Sequence, residues 1–122
     1  MDKLKAPKEE IKDYDDKVNI NNDLIEKNKL EIENINKRNT ELSIQMDEYE
    51  KQIKDYKQIK DENSNNKVIV AENNKKITDL ESKYKTLLNK DKDLIDEITN
   101  MEIANKKLIE DNTAFNIAKE NV

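Results

Sequence analysis

The chain has no cysteine, no histidine, no glycine and no tryptophan, and its single proline is Pro7. Each absence removes a class of chemistry. Without cysteine there is no disulfide and no thiolate nucleophile; without histidine the commonest general base and the usual zinc and haem ligands are gone. Without glycine there is no Gly-rich phosphate loop and no dinucleotide fingerprint. The expectation is a protein that is not an enzyme and carries no cofactor and no metal. Turns lean on glycine and proline for their backbone angles, so a compact globule is disfavoured too. No stretch of 18 apolar residues occurs, which argues against membrane insertion. The opening "MDKLKAPKEE" has no apolar signal-peptide core, and with no Asn-x-Ser/Thr acceptor in the chain the balance tips toward an intracellular protein.

What is present is charge. Of the 122 residues 42% are charged and only 34% hydrophobic, and the 23 basic and 28 acidic side chains are interleaved for a net charge of −5. A phosphate-binding surface needs a basic face, so nucleic acid is not an expected partner. The excess of lysine over arginine, with abundant Asn and Ile, has the look of AT-rich codon bias. Composition of this kind belongs either to a disordered chain or to helices that bury a narrow stripe. Periodicity separates the two.

From Leu4 the apolar residues fall into a heptad written abcdefg. The a positions include Ile11, Val18, Ile25, Ile32, Asn39, Met46 and Ile53; the d positions include Tyr14, Asn21, Asn28, Ile35, Leu42, Tyr49 and Tyr56. Twelve of 17 large apolar residues up to Lys60 sit at a or d, where even scatter would leave about five. The pattern returns after the midpoint in another phase. There a holds Val70, Ile77, Tyr84, Asp91, Ile98, Asn105 and Asn112, and d holds Asn73, Leu80, Leu87, Leu94, Met101, Leu108, Phe115 and Val122. The tetrapeptide "IKDY" recurs at 11–14 and 53–56, six heptads apart, as an echo of this phase. Sustained 3.5-residue periodicity predicts an all-α coiled coil.

The phase break near 59–66 divides the chain into a first heptad segment (1–60), a break or loop (61–66) and a second segment (67–122). Two architectures fit. A continuous helix absorbs the break as a stammer, giving a long parallel two-stranded rod. Alternatively "DENSNN" is a loop, because Asp, Ser and Asn compete with the helix through side-chain hydrogen bonds. The chain then turns at 61–66 into an antiparallel hairpin, and a centre within the loop sets Asn21 opposite Asn105. Ile at a with Leu or Met at d in the second half favours the parallel rod, as does Asn at a.

The candidate site residues are therefore those of a seam. The expected oligomer seam is Ile11, Val18, Ile25, Ile32, Ile35, Leu42, Met46, Ile53, Ile77, Leu80, Leu87, Leu94, Ile98, Met101, Leu108 and Phe115, with Asn39, Asn105 and Asn112 setting register. Leu88, Ile95 and Ile109 at e widen the stripe, and with Asp91 they form a possible partner face. In a parallel dimer Asp91 would meet its own copy, as a seam defect or a docking point. The stretch "DKDLIDEITNME" (91–102) has acids at the first, third and twelfth places of a calcium loop. It lacks an oxygen ligand at the fifth (Ile95) and the glycine at the sixth (Asp96), so solvated helix charge is the better reading. The expected function is structural: a spacer, tether or oligomerisation element acting through self-association as a homodimer. The rivals are a helical adaptor binding helices of other proteins and a segment of a fibrous surface adhesin.

Overall fold

The computed structural model of the chain describes residues 7–122, so the first heptad position, Leu4, lies outside the described residues. It contains two long helices, α1 (Pro7–Glu62) and α2 (Lys67–Glu120). Pro7 opens α1, where its missing N–H costs nothing and its fixed φ suits a first helical residue. Glu9 and Glu10 then place negative charge at the positive end of the helix dipole.

The break in the heptads is a turn. α1 runs two residues further than the sequence suggests and the chain reverses over residues 63–66. The continuous parallel rod is thereby corrected to its rival, the antiparallel pairing of the two halves. The physical reason is the asparagines. Asn63 ends α1 by donating both its backbone N–H (3.1 Å) and its side-chain amide (2.8 Å) to the Ile59 carbonyl. Asn66 then caps α2: its Oδ1 accepts from the backbone N–H groups of Val68 (3.2 Å) and Ile69 (3.3 Å). Two orphan donors of the new helix are satisfied by one side chain. The Asn66 N–H donates to the Asn63 carbonyl at 2.9 Å and closes the turn. No described residue has positive φ, so this reversal does not need the glycine that the chain lacks.

The helices divide into two compact units. One comprises Met1–Asn34 with Glu97–Val122; the other is Ile35–Asp96 and contains the turn. Within each, segments of α1 and α2 pair antiparallel. In the first, Asp15 meets Lys119, Asn21 meets Asn112 and Asn28 meets Asn105. In the second, Asn39 meets Asp91, Glu50 meets Tyr84 and Lys57 meets Glu81. The positions assigned to a and d from Ile11 to Tyr56 and from Val70 to Phe115 are all buried or half-buried. Among the described residues Ile25, Ile35, Ile77, Leu80 and Leu87 are the buried apolar side chains, and Ile35 is fully so. Within each unit these positions are covered by the other half of the same chain.

Candidate functional site: polar layers in the seam

Three hydrogen-bonded polar layers interrupt the apolar seam. The asparagines read as register residues take part in all three, with partners that lie within the chain. In the first unit Asn21 donates through Nδ2 to Asn112 Oδ1 at 3.0 Å, and the Asn112 amide donates onward to Asn22 Oδ1 at 3.0 Å. One heptad away, Asn28 donates to Asn105 Oδ1 at 2.8 Å and the Asn105 amide reaches the Ile25 carbonyl at 3.4 Å. Asn105 and Asn112 are buried, yet among the described residues no buried side-chain nitrogen or oxygen lacks a partner. An amide that both donates and accepts within the seam loses less by leaving water than an unmatched one, which loses the full desolvation cost.

The third layer lies in the second unit, where the Asn39 amide donates to the Asp91 carboxylate. Asp91 thus has a neutral donor opposite it, and the like-charge encounter expected of a parallel dimer does not arise. Its neighbours on the expected partner face, Leu88 and Ile95, are exposed by 41% and 49%, and Ile109 in the first unit by 53%. The apolar seam residues Ile32, Leu42, Met46, Ile53, Leu94, Ile98, Met101 and Leu108 are half-buried, as are Ile11 and Val18.

The expected antiparallel match differs from the observed one by a heptad. A turn centred in 61–66 sets Asn21 opposite Asn105, whereas Asn21 hydrogen-bonds to Asn112. The phase survives and the level shifts. Sequence reasoning also passed over Asn22 and Glu50. Asn22 stands at e, beside the seam, where an acceptor can reach an a-position amide.

The four tyrosines are half-buried at seam positions. Tyr84 donates to Glu50 Oε1 at 2.8 Å. That hydrogen bond is the main reason its phenol titrates above the ordinary tyrosine value, with desolvation and the charges of Glu50 and Asp47 adding to it. The Tyr14 and Phe115 rings lie 6.2 Å apart, tilted by 34°, and Lys17 places its Nζ 5.3 Å from the Phe115 centroid. Lys76 Nζ stands 5.1 Å from the Tyr56 ring centre, within cation–π range. The ion pair of Lys119 with Asp15, at 2.7 Å, joins the helices on the flank of the first unit.

Among the described residues no group of three metal-ligating side chains could hold an ion, and 91–102 is uninterrupted helix. One surface hollow is lined by Glu72, Asn74, Lys76, Thr78 and Ser82 on a single helix, which gives no second wall to exclude water. Among the described residues no helix is long and apolar enough to cross a membrane. No protein-family model, curated protein or solved structure matches the chain.

Proposed function

We propose that this protein is a non-catalytic structural element in which α1 and α2 serve as each other's partner, and that it works as a tether or scaffold. The observation that carries this reading is the burial of a and d positions from both halves within single units of one chain. The seam offered for oligomerisation is engaged internally. An end-to-end spacer is disfavoured on the same ground, because the segments leading to the two termini share one unit. Sedimentation velocity at micromolar concentration should give the 14.4 kDa monomer. A stable species of twice that mass, with the a and d residues at its interface, would overturn the proposal.

A second reading keeps the adaptor. Leu88 and Ile95 are one heptad apart on α2, adjacent to the seam and about half exposed. A helix of another protein laid beside α2 would cover them in the manner of helix-in-groove recognition. Photo-cross-linkers placed at these two positions should capture such a partner; capture from the outward Ile44 and Ile103 instead would count against it.

A further inference from the structure

The two asparagine layers of the first unit contain information that apolar layers lack. A heptad seam is nearly indifferent to sliding by seven residues, because every apolar layer then meets another apolar layer. Here four asparagines are placed so that the observed alignment pairs all of them: Asn21 with Asn112 and Asn28 with Asn105. Sliding one way by a heptad keeps one pair, Asn21 with Asn105, and sets Asn28 against Ile98 and Asn112 against Tyr14. Sliding the other way pairs Asn28 with Asn112 and leaves Asn21 against Lys119. Each wrong alignment buries at least one amide whose hydrogen bonds are lost, and each such loss is expensive in a seam. The accessory bonds reinforce the choice, since Asn112 also reaches Asn22 and Asn105 also reaches the Ile25 carbonyl.

We infer that Asn21, Asn28, Asn105 and Asn112 form a two-digit register code that fixes the axial alignment of α1 and α2 against one-heptad slippage. The code acts within one chain and stands whether the protein is a tether or an adaptor. It also identifies which changes rewrite it. Asn28→Ile with Asn112→Ile removes one digit from each helix so that only the slipped pair Asn21–Asn105 is satisfied. Asn21→Ile with Asn105→Ile does the reverse and leaves Asn28–Asn112. The two variants have the same composition and point to opposite slips.

The chain has no cysteine, so Lys12→Cys and Glu102→Cys, both exposed and both in the first unit, can carry a pair of spin labels. These sites are offset along the axis, and a heptad slip changes the offset by about 10 Å at 1.5 Å per residue. Labelled chains diluted in unlabelled protein should show one distance for the natural sequence. The Asn28/Asn112 variant should gain a population shorter by about 10 Å along the axis, and the Asn21/Asn105 variant one that is longer. The variant with all four asparagines changed to Ile has no mismatched layer to unfold it, and it should spread over more than one alignment. The inference fails if that variant keeps the single natural distance, or if the two double variants shift in the same direction.

Discussion

The two units are built on one heptad scheme and solve different problems with it. In the turn-bearing unit Ile35, Ile77, Leu80 and Leu87 are buried; in the other unit Ile25 is the one buried apolar residue among the described residues. That unit buries two asparagines in its seam, Asn105 and Asn112, against Asn73 alone in the turn-bearing unit. Apolar burial contributes roughly 25 cal/mol per Å² and does not discriminate between alignments. A matched amide pair contributes about 1 kcal/mol net and discriminates strongly, because its mismatch is costly. One unit is weighted toward cohesion and the other toward alignment.

The sharpest way to break that contrast is to cut the cohesive unit. Leu80→Ala and Leu87→Ala each empty a buried site and should cost about 2–5 kcal/mol, the range for buried Leu truncation. Asn105→Ala removes an amide at comparable burial and should cost about 1–2 kcal/mol, since it leaves the Asn28 amide without its acceptor. Denaturant titration followed by helical circular dichroism reads both. If Asn105→Ala is the more damaging change, the division of labour between the units is wrong.

Much of this was legible in the residues. The burial of a and d follows from period alone, because apolar side chains spaced at 3.5 residues share one face wherever the helix goes. The partner was not legible. A parallel copy and the chain's own second half present the same a and d stripe, and the choice rests on four residues at the midpoint. There Asn63 and Asn66 use their side chains to end one helix and start the next. A stretch rich in Asn and Ser reads as weak helix by propensity, but the capping bonds exist only once the turn has formed. The heptad level of the match was hidden for the same reason, since it depends on where α1 stops.

That dependence gives the next prediction. Asn66→Ala deletes the acceptor for two backbone donors at the start of α2 and should cost about 1 kcal/mol, with Asn66→Gly costing only a few tenths. Amide hydrogen exchange should rise at Val68 and Ile69 and leave the buried positions of the other unit unchanged. Loss of protection spread evenly through both units would show that the cap governs the whole structure and that the units do not respond separately.

The smallest effect is electrostatic and tests the rim of the turn-bearing unit. Tyr84 donates to the Glu50 carboxylate, and its phenol is held above the ordinary value of about 10. The leading cause is the hydrogen bond, which only the neutral phenol can donate; desolvation and the negative charges of Glu50 and Asp47 act in the same direction. A group whose folded pKa exceeds its unfolded one stabilises the fold fully below the unfolded value, near pH 10, and loses that contribution as pH rises through the raised one. Phenolate absorbance should therefore show one of the four tyrosines ionising later than the rest. Glu50→Ala, which removes the acceptor and its charge together, should bring that tyrosine back toward the others, and Asp47→Asn should move it only slightly. A titration curve unchanged by Glu50→Ala would mean that the two side chains do not meet in solution. The antiparallel alignment of that unit would then rest on Asn39 with Asp91, Tyr56 with Lys76 and Lys57 with Glu81.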